Sequence, residues 1–294
     1  MSALQPPDRR LAGFLRDLAS LAKPRVTMLV VFTTASGLWL AHGHLGIWRT
    51  ILLLGSTSLV VASANTLNCW MEQDVDALML RTRNRPLPDG RLSAPTALVF
   101  GSTLAVIALP ALWFGINPLT AMLAMAALAI YVLAYTPLKR VSPISLIVGA
   151  IPGAIPPLMG WTAVTGRIDP PGLVLFGILF LWQIPHFIAI SLYLKDDYAL
   201  GGLKVLPLVS GDATARKHLL AYTIALVPVS LLMVPLGIAG TAYLVTAILL
   251  GGTFLAFGLF GLRAGAGASW ARQTFLFSLI YLTLLVSVLV ANPA

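Results

Sequence analysis

Residues 68 to 91, NCWMEQDVDALMLRTRNRPLPDGR, concentrate acidic and basic side chains in a chain that is only 10% charged. The charged residues are Glu72, Asp74, Asp76 and Asp89, together with Arg81, Arg83, Arg85 and Arg91. Enzyme-bound Mg²⁺ is typically held by one or two carboxylates and by substrate phosphates, and arginine binds phosphate oxygens through its planar fork. The stretch therefore favours a site for magnesium and a diphosphate. The alternative is a solvated loop of mixed charge at the end of a helix.

Spacing indicates which of these side chains bind the metal. Residues four apart lie on one face of a helix, so Asn68, Glu72 and Asp76 share a face if the helix continues through them. That face presents two carboxylates and an amide, which offer the oxygen ligands that Mg²⁺ prefers. Asp74 is expected to point elsewhere.

The elements that position these groups are apolar spans. The chain has 294 residues, 58% of them hydrophobic, and a mean hydropathy of +0.90. A helix needs roughly 20 apolar residues to cross the hydrocarbon core. Nine such segments are found, at about 26–42, 48–69, 94–114, 118–136, 143–164, 171–193, 218–238, 241–262 and 271–291. The sequence therefore predicts an all-α integral membrane protein, with a single domain of nine transmembrane helices over residues 26–291.

A second acidic stretch, KDDYALGGLK at residues 195–204, follows the sixth span as the first stretch follows the second span. Asp196 comes 122 residues after Asp74. This recurrence predicts two pseudo-repeated four-helix halves and a ninth helix, with active-site loops at residues 70–93 and 194–217. It also makes a solvated loop a weaker explanation of the first stretch.

Basic residues set the orientation, because lysine and arginine are enriched in cytoplasmic loops. All 19 of them except Arg49 and Arg167 fall on one side of the predicted spans. The N-terminus and the basic segment 1–25 are therefore expected in the cytoplasm, and the C-terminus on the opposite side. The net charge of +9 is then explained by contact with anionic membrane lipid, and no nucleic acid partner is expected.

The single cysteine, Cys69, excludes an internal disulfide and a cysteine-rich metal site.

Several blocks carry a resemblance to a known family. NCWMEQDVDALMLRTRNRPL resembles the first aspartate-rich motif of the UbiA-type intramembrane prenyltransferases. Further similar blocks are LAKPRVTMLVVFTTASG at 21–37, YTPLKRVSPISLIVGAIPGAIPPLMGWTAVTG at 135–166, WQIPHFIAISLYLKDDYALGG at 182–202 and VLPLVSG at 205–211. The resemblance covers about residues 20–290, and the WQIPHF and GAIPPLMGW blocks are similar to the heme-modifying branch of that family.

The resemblance implies a bundle around a central cavity, with both acidic motifs at its cytoplasmic mouth in the plasma (inner) membrane. It implies Mg²⁺-dependent transfer of a farnesyl group from farnesyl diphosphate to a vinyl group of protoheme, with addition of water to give heme O. By this analogy the catalytic metal ligands are Asn68, Glu72, Asp76, Asp196 and Asp197. A downstream enzyme that oxidises a methyl group of the product is an implied partner.

The resemblance also implies that Arg81, Arg85 and Lys195 neutralise the diphosphate. Lys204 stands where the heme-modifying branch usually has proline, so either it adds a phosphate contact or it has no role. Glu72 replaces the usual aspartate, which lengthens the ligand but keeps its charge.

His186 lies inside the sixth span, where a polar residue normally faces the interior of the bundle. It precedes Asp196 by ten residues, about 15 Å along an ideal helix. One interpretation is that His186 ligates the heme iron or positions the porphyrin, with Trp182 as a wall of the cavity. The other is a histidine that is hydrogen-bonded across the bundle and a tryptophan that anchors at the membrane interface.

Two rival functions remain open. A prenyltransferase with a quinone-type aromatic acceptor would use the same acidic loops, although the WQIPHF block argues against it. A secondary transporter could also have two repeats and broken helices. Transporters, however, place their binding carboxylates near the middle of the membrane, whereas these cluster at one end of the spans.

Overall fold

Helices form the framework of residues 7–263 and 265–294, the part of the chain that this computed structural model describes. Residues 1–6 of the predicted basic segment lie outside the described part. Besides the helices, these described residues form one isolated antiparallel bridge, between Ala239 and Pro293. The first helices are α1 (Pro7–Leu21), α2 (Pro24–Leu40), α3 (Ile47–Met71), α4 (Gln73–Leu78), α5 (Ala94–Gly115) and α6 (Pro118–Ala129). The all-helical class predicted from hydropathy is confirmed.

Helix α6 continues through a π-helical segment, Ile130–Tyr135, into the short α7 (Thr136–Leu138). The remaining helices are α8 (Ser145–Thr165), α9 (Pro170–Tyr193), α10 (Lys195–Leu200), α11 (Leu206–Ser210), α12 (Asp212–Leu231), α13 (Thr241–Gly261) and α14 (Ala268–Ala291). The short helices α4, α10 and α11 belong to the two acidic loops, so these loops are structured connections.

Seven helices in the described ranges are long and apolar enough to cross a membrane: α3, α5, Pro118–Leu138, α8, α9, α13 and α14. These correspond to seven of the nine predicted spans. Helix α2 has only 17 residues, and α12 begins with a polar segment that includes Arg216 and Lys217. The seventh span, predicted over 218–238, therefore differs from α12 (Asp212–Leu231) in both its start and its end. The helix begins at Asp212, in polar sequence, directly after Gly211, which has φ +81°.

The order of packing brings the two acidic loops to one end of the bundle. Helix α3 packs along α5, α2 along α8, and α9 contacts α8, α12 and α14. Glycines permit the closest approach, between α2 and α8. A Cβ atom at Gly160 would overlap the Thr34 carbonyl oxygen, and one at Gly37 would overlap the carbonyl oxygen of Pro157. Small residues let helix backbones approach closely in membrane proteins, where association depends on packing.

Candidate active site

The first acidic loop begins with a break in the backbone at Glu72. Helix α3 ends at Met71, Glu72 has φ −105° and ψ 12°, and α4 starts at Gln73. A single helix through the whole stretch, assumed in the spacing argument, is therefore wrong. Asn68 and Glu72 nevertheless stay adjacent, because the Asn68 amide donates a hydrogen bond of 2.8 Å to Oε2 of Glu72.

Three cations surround these polar groups. Nζ of Lys139 donates to Oε2 of Glu72 at 2.7 Å, and Nη1 of Arg85 donates to Oδ2 of Asp76 at 2.6 Å. Nζ of Lys23 donates to the amide oxygen of Asn68 at 3.3 Å. Glu72 is only 5% exposed and Asp76 only 1%. Buried carboxylates are tolerated when they are paired and hydrogen-bonded, so these cations stabilise the buried acidic groups.

The pKa values of two of these cations, Arg85 and Lys23, are shifted in opposite directions. Burial alone would lower the pKa of Arg85, but the neighbouring Asp76 carboxylate raises it above its usual value. Burial lowers the pKa of Lys23, and the positive charges of Arg85 and Lys139 act in the same direction. Lys23 is a half-buried cation, and in the described part of the chain no carboxylate is hydrogen-bonded to it. An anionic ligand near it would favour its charged form.

Sequence reasoning missed Lys23 and Lys139 as site residues. They occur in the LAKPR and YTPLKR blocks, where their charges served only to orient the chain. Both blocks lie at the same end of the bundle as the acidic loops, which is the signal that could have identified them. The π-helical segment before α7 contributes to the position of Lys139, and Thr136 accepts a hydrogen bond of 3.1 Å from Asn68. Such segments often occur at functional sites.

Asp74 points away from this group, as its spacing predicts. Arg140 donates to both of its carboxylate oxygens, at 2.8 and 2.7 Å, and to the backbone oxygen of Met71. The hydrogen bonds from Arg140 lower the pKa of Asp74. Its side chain is 63% exposed, so it lies at the surface of the loop.

The second acidic loop has the same local design. Helix α9 ends at Tyr193, Leu194 has φ −107° and ψ 30°, and α10 starts at Lys195. These angles are close to those of Glu72 in the first loop. The two similar breaks, each after a long helix and before a six-residue acidic helix, support the internal repeat inferred from the sequence.

Asp197 links the second loop to the first. Its Oδ1 accepts a hydrogen bond of 2.7 Å from the backbone N–H of Leu80, and its Oδ2 lies 3.7 Å from Nε of Arg81. Asp196 is exposed. An apolar cluster joins the loops beneath these contacts, formed by Val75, Met79, Leu203, Tyr198 and Val205.

Two of the predicted diphosphate ligands, Lys195 and Lys204, have no side-chain hydrogen bond or ion pair with a predicted metal ligand in the described part of the chain. Nζ of Lys195 donates to Oδ1 of Asp212 at 2.7 Å, within its own loop. Lys204 has an exposed side chain, and its backbone N–H donates to the carbonyl oxygen of Lys139 at 2.9 Å. Arg81 and Arg85, by contrast, each contact a predicted metal ligand.

A pocket opens between the two loops and the ends of the long helices. It encloses about 550 Å³, including space open to solvent. Its lining includes Tyr135, Lys139, Phe187, Ser191, Tyr198 and Leu206. The pocket therefore combines the cation that pairs with Glu72 with aromatic and aliphatic walls, which suits an amphiphilic ligand with an anionic head.

His186 precedes the pocket residue Phe187 on α9 but does not itself line the pocket. Its Nδ1 is 2.7 Å from the Ser278 hydroxyl, and its ring stacks on Trp182 with centroids 4.8 Å apart. Trp182 is 4% exposed, and its indole N–H donates to the carbonyl oxygen of Ser278 at 2.7 Å. Trp182 is thus a buried core residue, and the alternative of an interfacial anchor is wrong.

Comparison with known proteins identifies the family. The sequence model of the UbiA prenyltransferase family matches residues 30–280. The chain belongs to the UbiA prenyltransferase family. It is 53% identical over 272 residues to a protoheme IX farnesyltransferase of Anaeromyxobacter sp. (strain Fw109-5), with 92% of each chain covered. It is 52% identical over 267 residues to that of Myxococcus xanthus (strain DK1622), with 91% of each covered.

Solved structures share the UbiA fold at lower sequence identity. One, described in work on digeranylgeranylglyceryl phosphate synthase in membranes, has a TM-score of 0.81 and 19% identity, covering 95% of this chain and 98% of its own. A UbiA homologue from Archaeoglobus fulgidus bound to GPP and Mg²⁺ has a TM-score of 0.64 and 17% identity, covering 93% and 99%. The family predicted from the motifs is confirmed, and the protein is a membrane prenyltransferase.

The spacing of the acidic groups in this UbiA protein determines how they could hold a divalent metal. Across residues 11–263 and 265–294, whose side chains the structure describes, no three His, Cys, Asp or Glu side chains come close enough to hold a metal by themselves. Mg²⁺ at phosphate-transfer sites needs only one or two carboxylates, because substrate oxygens and water complete its shell. Oε1 of Glu72 is buried, and it forms an ion pair with Nζ of Lys139 at 2.5 Å. The geometry of this contact is not that of a hydrogen bond. The residues present therefore fit a metal that binds together with a diphosphate.

Proposed function

We propose that this protein transfers the farnesyl group of farnesyl diphosphate to a vinyl group of protoheme, with addition of water, to give heme O. The observation that carries the proposal is the 53% identity to a protoheme IX farnesyltransferase over 92% of both chains. The two acidic loops that meet beside one pocket support it, because a prenyl diphosphate needs cations at its head and apolar walls along its chain.

We assign the metal ligands to both loops. Asn68, Glu72 and Asp76 are the proposed ligands from the first loop, and Asp196 and Asp197 from the second. A UbiA homologue of the same fold was solved with GPP and Mg²⁺, which supports a divalent metal as cofactor. When bound, Mg²⁺ would stabilise the negative charge that develops on the departing diphosphate.

The side chains near the loops provide the remaining positive charge. We assign Arg81, Arg85, Lys23 and Lys139 to the diphosphate, because each contacts one of the proposed metal ligands. Lys195 is instead paired with Asp212, and the side chain of Lys204 is exposed, so we give them a secondary role. Preorganised cations of this kind stabilise a leaving anion without reorganisation during the reaction.

The proposed reaction proceeds at the boundary between the cations and the apolar pocket. The bond between C1 of the farnesyl group and the diphosphate oxygen breaks, and the diphosphate leaves with the electron pair. The vinyl group forms a bond to C1, and water adds to the resulting cation with loss of a proton. Pocket walls such as Phe187 and Leu206 limit earlier capture of the farnesyl cation by bulk water.

We propose that His186 faces the porphyrin, either as a ligand of the heme iron or as a positioning residue. The Ser278 hydroxyl next to Nδ1 would orient the ring, as a partner of a metal-bound histidine normally does. Trp182, which stacks on His186, is then a supporting residue that fixes the imidazole. This role replaces direct contact between Trp182 and heme.

The membrane arrangement forms part of the proposal. We propose nine transmembrane helices around a central cavity in the inner membrane, with α2 and α12 as the two spans beyond the seven apolar ones. The N-terminus and the acidic loops lie in the cytoplasm, since most basic residues lie on that side. Membrane lipid and a downstream heme-oxidising enzyme are the proposed partners.

Acceptor competition tests the function. Purified protein is incubated with farnesyl diphosphate, Mg²⁺ and equal amounts of protoheme and a quinone-type aromatic acceptor, and both acceptors are analysed by mass spectrometry. We expect a mass gain of one farnesyl group and one water on heme, abolished by chelation of the metal. Prenylation of the aromatic acceptor alone would establish the rival enzyme. Uptake of a ligand into vesicles without any new product would instead indicate transport.

A further inference from the structure

A second pocket lies at the same end of the bundle, between the end of α9 and the starts of α12 and α14. It encloses about 240 Å³, including space open to solvent. It is lined by Leu192, Asp212, Arg216, Gly267, Ala268, Trp270 and Ala271. None of the proposed metal ligands or heme-binding residues lines it, so the reaction leaves this pocket without a role.

Arg216 is the cation of this pocket. Its guanidinium carbon lies 5.8 Å from the centre of the Trp270 ring, which holds the planar group over the indole. Its Nε is buried and has no hydrogen-bond acceptor among the described residues. A buried guanidinium N–H without an acceptor is costly, because the group has lost water without gaining a partner. An anion bound in the pocket would supply the acceptor that Nε of Arg216 does not find among the described residues.

The start of α14 adds a second source of positive potential. Gly267 precedes the helix and provides no side-chain cap for the N–H groups of its first turn. Four residues at this end of the helix line the pocket: Gly267, Ala268, Trp270 and Ala271. The N-terminus of a 24-residue helix attracts anions through these N–H groups and the helix dipole. Asp212 is the one carboxylate in the lining, and its charge is offset by the ion pair with Lys195 at 2.7 Å.

We propose that this pocket binds the phosphate group of an anionic membrane phospholipid, held by the guanidinium of Arg216 and the N-terminus of α14. The position favours a lipid, because the pocket lies where long apolar helices end. Basic pockets between helix ends of this kind recognise lipid headgroups. Exposed Lys217 and Arg272 nearby strengthen the attraction for an anionic membrane surface.

The proposal is tested by the thermal stability of the full-length protein in neutral detergent. Phosphatidylglycerol, phosphatidylcholine and inorganic phosphate are titrated separately, and the rise in Tm gives an apparent affinity for each. We expect phosphatidylglycerol to raise Tm more than the other two. Loss of one charge-assisted contact in Arg216→Gln should weaken the apparent affinity for phosphatidylglycerol by about tenfold or more.

Ala268→Asp provides a variant whose effect is independent of a folding defect. Ala268 is the exposed first residue of α14, where an acidic side chain stabilises the helix through the dipole. We therefore expect a Tm equal to or above that of the wild type without lipid, but a weaker response to phosphatidylglycerol. Arg272→Gln removes an exposed charge outside the pocket and should keep the full response.

Three results would overturn the proposal. An unchanged response in both Arg216→Gln and Ala268→Asp would show that the pocket is not the site. An equal loss of response in Arg272→Gln would indicate diffuse surface charge. An equal rise in Tm with inorganic phosphate would indicate a site for a free anion rather than a lipid.

Discussion

At the scale of residues, the acidic groups of the two loops differ in environment more than their types suggest. Glu72 and Asp76 are buried beside Lys139 and Arg85, whereas Asp74 is exposed and bound by Arg140. The sequence identified the acids and separated Asp74 from the others by spacing. It could not identify Lys139 as the partner of Glu72, because the two residues are 67 positions apart and only the packing of helices brings them together.

Replacement of His186 tests the proposed heme contact. His186→Ala should weaken binding of heme by about tenfold or more while leaving farnesyl diphosphate binding within about twofold, because the imidazole is a ligand or positioning group for the porphyrin alone. Both affinities are measured by titration in detergent. His218→Ala is the matched control, since His218 is exposed at the start of α12. An equal loss of both affinities would indicate a packing role for His186.

The Asp74–Arg140 pair predicts a small pH-dependent stabilisation. Arg140 lowers the pKa of Asp74 in the folded protein, so the pair stabilises the fold above the unfolded pKa of about 4. The stabilisation is lost as the pH falls through the lower folded pKa. Solvent screening at this exposed pair limits it to about 0.5 kcal/mol.

The Tm of wild type and Asp74→Asn, measured from neutral to acidic pH, tests this effect. The wild type should have the higher Tm at neutral pH, and the difference should disappear in acid. A difference that persists at the lowest pH would contradict an ionic origin. Turnover should be nearly unchanged in this variant, because Asp74 points away from the proposed site.

At the scale of elements, both acidic loops are built from a helix that breaks and restarts. The breaks at Glu72 and Leu194 have similar backbone angles, although one residue is acidic and the other apolar. The sequence predicted an acidic loop after each helix but not these breaks, because neither has a glycine or proline as a signal. The start of α12 was likewise misplaced, since hydropathy marks apolar length and not where backbone hydrogen bonding begins.

The contact between α2 and α8 predicts a steep cost for added volume. Gly160→Ala should destabilise the protein by about 1–3 kcal/mol, because its methyl group would overlap the backbone of Thr34. Gly55→Ala on α3 is the matched control, since nothing lies within 4 Å of its Cβ position. It should be neutral or stabilising by up to about 1 kcal/mol. Equal denaturation midpoints for the two variants would contradict the close contact.

At the scale of the whole molecule, hydropathy and motifs predicted the helical class and the family, and both are confirmed. Apolar length is a local property, so most spans were located within a few residues. The pocket and the contact of Asp197 with the first loop depend on how distant helices pack, which no local pattern specifies. The resemblance anticipated that the loops meet, and the structure adds the cations and apolar cluster that join them.

The central claim is that the two loops act as one site for a prenyl diphosphate. The most direct test measures kcat/KM for farnesyl transfer to protoheme in Asp76→Asn, Asp197→Asn and the double variant, with folding monitored by Tm. Each single change should lower kcat/KM by about 100-fold or more. The kcat/KM of the double variant should be only slightly lower than that of the less active single variant, because the effects of residues that act as a unit are not additive. Losses that multiply in the double variant, or near-normal turnover in either single one, would contradict a shared site.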